Sequence, residues 1–372
     1  MTLFDEDVAV VPAPRPPVSR RTRIGLWSLT IALVSLLVMS FLPTAYVIEQ
    51  PGPVYDTLGT VTNNAGDQVP LIEVNGAPTY PTTGSLDLLT VQVVGNRERT
   101  PSWFELAGAW LDPSRAIVPI DAIFPAGQSS EQRQQESTAM MVDSQEEAKA
   151  AALSQLGYQI PQSLAVQSVS STGAAAGILQ AGDDILAANG TPVSTADQLR
   201  AAIAAGQGAP LDLTITRGGQ TQHVTITPTA ATQPDGTTTW LVGITLGIDY
   251  KFPIDVTIQL DNVGGPSAGM MFALGIIDTL TPGELTGGHR IAGTGTITAD
   301  GTVGPIGGIR QKLYGAKGAG AEYFLAPASN CNEVTGHVPS GLRVFSVSTL
   351  ADSLTALDAI RTGGNLDALP TC

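Results

Sequence analysis

Hydrophobic positions along the chain follow several distinct patterns, and each predicts a different element. The longest apolar block, Ile24–Leu42, is 19 residues rich in Leu, Ile and Val, and no charged residue follows it until Glu49. That is about the length of one membrane-spanning helix. Upstream, residues 1–23 carry Pro12, Pro14, Pro16 and Pro17 with Arg15, Arg20, Arg21 and Arg23 and show no hydrophobic period. They read as a disordered tail. Arginines before the block, with Glu49 and Asp56 after it, orient a span over residues 24–46 with its N-terminus in the cytosol. A cleaved signal peptide is the competing reading. The run is long for that role, and Pro43-Thr-Ala-Tyr-Val47 is a poor cleavage site.

After the apolar block the pattern changes to alternation. Over residues 47–125, the runs Val47-Ile48, Val69–Val74 and Leu86–Val94 are separated by Gly52-Pro53, Asn75-Gly76 and Gly95-Asn96. This predicts a small β-rich region with one short helix, Ser102–Leu111. Residues 126–157 predict a polar helical connector with an apolar stripe of Met140, Met141, Ala148, Ala152, Leu153 and Leu156, stopped by Gly157. Residues 158–228 form a domain of their own. It has a strand at Leu164–Val169, a Gly-Asp turn and an Asn-Gly turn within Gly173–Gly190, a helix at Thr195–Ala205, and strands at Leu211–Arg217 and Gln222–Thr227. A Thr/Gln/Pro/Asp/Gly-rich linker covers residues 229–239. Residues 240–362 then alternate strands (Trp240–Ile248, Val256–Leu260, Thr294–Ile297, Tyr323–Ala326, Val344–Val347) with helices (Met270–Leu280, Ile309–Lys317, Leu350–Ile360). The fold class is multidomain α/β (α+β).

Composition narrows the function. The net charge is −15 with only 18 Lys and Arg, and aromatics are 5%, which argues against a nucleic-acid partner. Three scattered histidines and no Cys-x-x-Cys pair argue against a metal site, and no cofactor is expected. The two cysteines, Cys331 and Cys372, can form a disulfide if this part of the chain lies outside the cytosol. Two free thiols are the other reading.

Candidate chemistry gathers in two motifs. Gly264-Gly-Pro-Ser-Ala-Gly269 places Ser267 on a glycine-rich turn directly before a helix apolar on almost every face. At the start of that helix, unpaired amides and the helix dipole favour a developing oxyanion. The bland alternative is that Ser267 is an N-cap. Lys312 lies 45 residues downstream, in Pro305-Ile-Gly-Gly-Ile-Arg-Gln-Lys312, among Ile306, Ile309, Leu313 and Ala316. An unburied lysine is protonated near pH 7, whereas burial lowers its pKa and frees the amine to act as a base. On an ordinary amphipathic helix Lys312 would be one more solvated charge. Serine with lysine makes a minimal nucleophile–base pair.

These motifs, with Ala292-Gly-Thr-Gly-Thr-Ile-Thr298 between them, resemble the proteolytic domain of the Lon protease family in order and near spacing. The resemblance covers about residues 240–360. It implies Ser267 as nucleophile and Lys312 as general base, with Thr294 orienting the lysine and Gly265 and Ala268 supporting the serine. Three departures stand out: Gly264 and Thr296 occupy places where the family commonly has acidic residues, and extra residues around Gly283–Arg290 lengthen the Ser–Lys spacing. Residues 158–228 resemble the PDZ domain of bacterial extracytoplasmic proteases, which implies strand addition of a peptide. The groove is expected between the Leu164–Val169 strand and the Thr195–Ala205 helix, with Gly157, Tyr158 and Ile160 at the carboxylate end. No Gly-x4-Gly-Lys-Ser/Thr motif is present, so the ATPase module of energy-driven Lon is not expected.

The whole plan looks like the membrane-anchored, PDZ-containing Lon-like proteases of bacteria. It implies a single-pass bacterial membrane protein with an extracytoplasmic catalytic domain. Protein or peptide substrates, no ATP and a homo-oligomer are the implied partners. Two other readings stand beside it. One is a Ser–His–Asp hydrolase, since Gly265-Pro-Ser-Ala-Gly269 is followed by Asp300 and His337. The other is a non-catalytic PDZ scaffold.

Overall fold

The computed structural model describes residues 19–125, 127–232, 237–260 and 263–372. Most of the predicted tail, part of the predicted linker and residues 261–262, shortly before the serine motif, lie outside the described residues. The chain divides into two compact units, one of residues 1–50 and 92–130 and the other of residues 51–91 and 131–372.

In chain order, the elements that matter begin with helix α1 (Arg20–Phe41), capped by the Ser19 hydroxyl on the Thr22 amide. Strand β1 (Tyr46–Asp56), strand β2 (Ile72–Asn75) and strand β3 (Ser85–Val94) follow. Helix α2 (Trp103–Trp110) starts in a capping box between Ser102 and Glu105. Strand β4 (Ala116–Pro119) and the long helix α3 (Ser130–Gln155) come next.

The first unit contains α1, α2 and β4. The start of β1 pairs antiparallel with β4, Tyr46 opposite Pro119 and Glu49 opposite Ala116. Ile48, Leu106 and Ala109 form its small core. Helix α1 is the one helix among the described residues long and apolar enough to cross a membrane, and none of its apolar span is buried.

Two larger sheets organise the second unit. One is built from β5 (Gln162–Val169), β6 (Asp184–Ala188), helix α4 (Ala196–Ala205), β7 (Leu211–Arg217), β8 (Gln220–Ile226) and β9 (Ile244–Tyr250). Its strand order is β8-β7-β6-β5-β9. Leu199 and Ile203 of α4 share a core with Leu164, Ile185, Leu213 and Ile215. The second sheet joins β1 and β3 to β11 (Arg290–Gly293), β12 (Tyr323–Pro327) and β13 (Arg343–Val347). Here β3, β11, β12 and β13 run parallel, Leu88 opposite Gly293 and Leu325 opposite Phe345. Strand β10 (Asp255–Ile258) pairs with β2. Helix α5 (Gly269–Leu280) is buried from Gly269 to Asp278, as its apolar run Met270–Ile277 requires. Helices α6 (Ile309–Gly318) and α7 (Leu350–Thr362) complete the layer.

Two boundaries read from the sequence move. Residues 47–125 are not one β-rich region. Their middle belongs to the second unit, where Leu71, Ile72, Leu86 and Leu88 share a core with Met270–Ile277. Likewise the β9 segment, placed by sequence with the domain that follows, completes the preceding sheet by pairing with β5 from Gln162–Tyr250 to Val169–Ile244. Helix α3 is more than a connector, since Met141, Ala148, Ala151, Ala152 and Leu153 enter the same core as α5. Met140, by contrast, points to solvent.

Candidate active site

The Ser267 turn is fixed from three directions. Its carbonyl accepts from the Gly295 amide at 2.9 Å and from the Thr294 hydroxyl at 2.9 Å. The Gly265 amide donates to the Ser137 carbonyl of α3 at 2.9 Å. About two turns further along α3, the buried Ser144 hydroxyl donates to the Pro266 carbonyl at 3.0 Å. The close approach of α3 explains one family departure: a Cβ on Gly264 would lie 2.1 Å from Ser137 Oγ, so no side chain fits there without moving the helix. Helix α5 begins at Gly269 with Ala268 as its N-cap. Ser267 therefore stands one residue before the cap rather than acting as the cap. Among the described residues, the Ser267 and Ala268 amides make no hydrogen bond.

Lys312 arrives from the opposite side. Helix α6 starts after Gly308, which has φ +67° and whose added Cβ would meet Val91 at 2.7 Å, so glycine is required on both counts. The first turn of α6 then buries Ile309, Lys312 and Leu313, with Leu89, Ala292 and Phe324 in the core around Ile309 and Leu313. Lys312 is only 2% exposed. Its Nζ lies 2.7 Å from Ser267 Oγ and donates to Thr294 Oγ1 at 2.9 Å. Loss of hydration disfavours the ammonium and pulls its pKa down to about 7.

Thr294, itself buried, sets the direction of the amine. Its one hydroxyl proton goes to the Ser267 carbonyl, so toward Lys312 it offers only a lone pair. A neutral amine that gives one N–H to Thr294 can turn its own lone pair to the serine hydroxyl. The residues of the alternative triad lie elsewhere. Asp300 accepts from Thr298 and from the Thr302 amide, and the His337 ring bonds the Thr335 carbonyl within its own loop. Cys331 and Cys372 are joined by a disulfide that fastens the C-terminal residue. Among the described residues no cluster of His, Cys, Asp or Glu is arranged to hold a metal.

The expected peptide groove requires correction. Strand β5 has β6 on one side and β9 on the other, so it offers no free edge for an added strand. Tyr158 and Ile160 pack against the catalytic core instead, and the Tyr158 amide closes α3 on the Leu153 carbonyl. Among the described residues the outer strand next to β5 is β9. Helix α3 touches this strand as well: Glu147, three residues after Ser144, accepts from the Tyr250 hydroxyl at 2.9 Å and from the Ala299 amide. The roles of Ser137, Ser144 and Glu147 are not evident from the sequence pattern. The available signal is that residues 137, 141, 144 and 148 repeat at helical spacing, so small polar residues sit on the apolar stripe itself.

Comparison with known proteins agrees with this architecture. Residues 260–358 match the Lon protease (S16) C-terminal proteolytic domain, and residues 135–227 match the PDZ domain. Lon protease 1 of Sorangium cellulosum is 40% identical over 93 residues, which cover 24% of this chain and 11% of the relative. Lon protease 2 of Herpetosiphon aurantiacus is 40% identical over 104 residues, covering 26% and 12%. The chain thus spans about a tenth of the length of these curated relatives. The PDZ domain of an SdrC-like protein from Listeria monocytogenes is 27% identical over 23% of this chain and 86% of that one, with a TM-score of 0.20. The PDZ match stops before β9, although the sheet does not. This chain is a multidomain α/β protein in which a segment similar to the PDZ domain, residues 135–227, precedes one similar to the Lon protease (S16) C-terminal proteolytic domain, residues 260–358.

Proposed function

We propose that this chain is an ATP-independent, membrane-anchored endopeptidase with Ser267 as nucleophile and Lys312 as general base. The observation that carries the proposal is the 2.7 Å contact between a dehydrated amine and the Ser267 hydroxyl. Neutral Lys312 takes the hydroxyl proton as Oγ bonds to the peptide carbonyl carbon and the carbonyl electron pair moves onto oxygen. The free amides of Ser267 and Ala268 are assigned to that oxyanion. Collapse breaks the C–N bond, and the Lys312 ammonium returns its proton to the leaving amine. Water then gives a proton to Lys312 as its oxygen adds to the acyl carbon; collapse breaks the C–Oγ bond, the acid leaves, and the Lys312 ammonium returns the proton to Ser267 Oγ. Nothing in these steps requires nucleotide.

In this reading α1 anchors the chain, with Arg20, Arg21 and Arg23 on the cytosolic side and the catalytic unit outside. The Cys331–Cys372 disulfide accords with that compartment. Peptides are taken up by the PDZ domain at the outer edge of β9, and that strand leads by a short connection into the catalytic domain. The test compares Lys312→Ala and His337→Ala for casein turnover without nucleotide. Loss only with Lys312→Ala is expected. Loss only with His337→Ala would establish the triad, and a wild-type protein that never cleaves would leave a scaffold.

A further inference from the structure

Helix α2 is amphipathic in an unusual sense, because its outward side is the apolar one. Leu106 and Ala109 face the small core of the first unit. Trp103, Phe104, Ala107, Gly108 and Leu111 recur at helical spacing on the exposed side, and Trp110 stands at its edge. Trp110 is 84% and Leu111 85% exposed. The one charged side chain in the helix, Glu105, is turned back onto the Ser102 amide and hydroxyl, where those hydrogen bonds hold its carboxyl below the usual range. Glu105 therefore stays ionised at neutral pH, with its carboxylate drawn to the Ser102 end of the helix. Two tryptophans, a phenylalanine and a leucine left in water by a helix of eight residues need a partner.

The position of α2 identifies that partner. Only residues 42–45 separate the end of α1 from β1. Within that connection the Thr44 amide donates to Thr100 Oγ1 at 3.2 Å, and the Thr44 hydroxyl donates to the Pro101 carbonyl at 2.8 Å. The start of α2 is thereby fastened to the exit of the apolar span, and α1 and α2 touch directly. Tryptophan gathers at the headgroup level of a bilayer because its ring is apolar and its N–H is polar. A second copy of this chain would also cover an apolar face, but it would not account for a patch tied to the end of the span.

We propose that α2 is an interfacial membrane-binding helix, with Trp103, Phe104, Trp110 and Leu111 entering the headgroup–acyl boundary of the leaflet from which α1 emerges. The inference rests on the reading of α1 as a retained anchor. Together the two helices give the anchor two points of attachment and restrict rotation of the first unit about the α1 axis.

The test uses the full chain in phosphatidylcholine vesicles whose lipids carry bromine near the headgroup end of the acyl chain. Bromine quenches tryptophan emission on contact, and Trp27, Trp103, Trp110 and Trp240 are the four reporters. The Trp103→Phe/Trp110→Phe variant keeps the apolar face and removes only its reporters. Wild type should show a quenched component that this variant lacks. Equal loss of emission fraction in both proteins would overturn the proposal, as would blue-shifted Trp103 and Trp110 emission that bromolipid does not quench, which would place α2 against protein. Resistance to alkaline carbonate extraction tests α1 separately. Protein stripped by carbonate contradicts the anchor, whereas protein that resists extraction without the quenched component contradicts only the role of α2.

Discussion

The two ends of helix α5 each bury a titratable side chain, and they do so with opposite outcomes. At the N-terminal end, Lys312 finds two hydroxyls, and burial alone brings its pKa to about 7. At the C-terminal end, Asp278 is fully buried with one oxygen on the Leu285 amide, and the other has no partner among the described residues. Burial, reinforced by the Glu284 and Asp56 carboxylates, raises its pKa to about 6. Acidification therefore charges one end of the helix and neutralises the other. Dehydration is common to both ends. What differs is that only the amine has a reactive neighbour, so a perturbed pKa marks a catalytic group where geometry supplies something to act on.

Substitutions can break this contrast. The largest effect is expected from Lys312→Ala, which removes the proposed base and should lower kcat/KM at least about 10³-fold, read by peptide turnover with folding checked by thermal melting. Next is Asp278→Asn. An acid with a raised folded pKa contributes stability below its unfolded pKa and loses it as pH rises. Stability of the wild type should thus fall between about pH 4 and pH 6. The Asn variant should gain on it by on the order of 3 kcal/mol across that window, with turnover little changed. Denaturant titrations at pH 4 and pH 7.5 measure the difference, and parallel pH profiles would contradict the buried ionisation. The smallest effect is expected from Ser144→Ala, which leaves the Pro266 carbonyl without its α3 donor. A loss of about 1 kcal/mol should appear as a severalfold lower kcat with KM nearly unchanged, because the turn is loosened rather than the substrate site. A change confined to KM would assign Ser144 to binding instead.

Local signals carried much of this organisation. The apolar block of α1, the Ser102 start of α2, the apolar run of α5 and the glycines before Lys312 each act over a few residues; α2, α5 and α6 lie close to their expected limits, whereas α1 starts at Arg20, inside the segment read as tail, and ends at Phe41, short of the expected residue 46. Pairing between distant segments left no such mark. Strand β3 lies parallel to β11, some 200 residues later, and its sequence reads the same whether it belongs to a separate region or to the catalytic sheet. For the same reason β9 was assigned forward, and the peptide edge was placed on β5, one strand too far inside. The Ser–Lys pair was legible because both motifs constrain backbone and burial locally. The support from α3 was not, because Ser137 and Ser144 act on Gly265 and Pro266 from over 120 residues away.

The central claim is that a neutral amine at position 312 activates the hydroxyl at position 267. Its most direct test is the pH dependence of kcat/KM for peptide cleavage by the full chain, which reports the free enzyme's base. With the Lys312 pKa at about 7, the rate should climb tenfold per pH unit below that value and level off above it. A rate already flat from pH 5 upward would contradict the account.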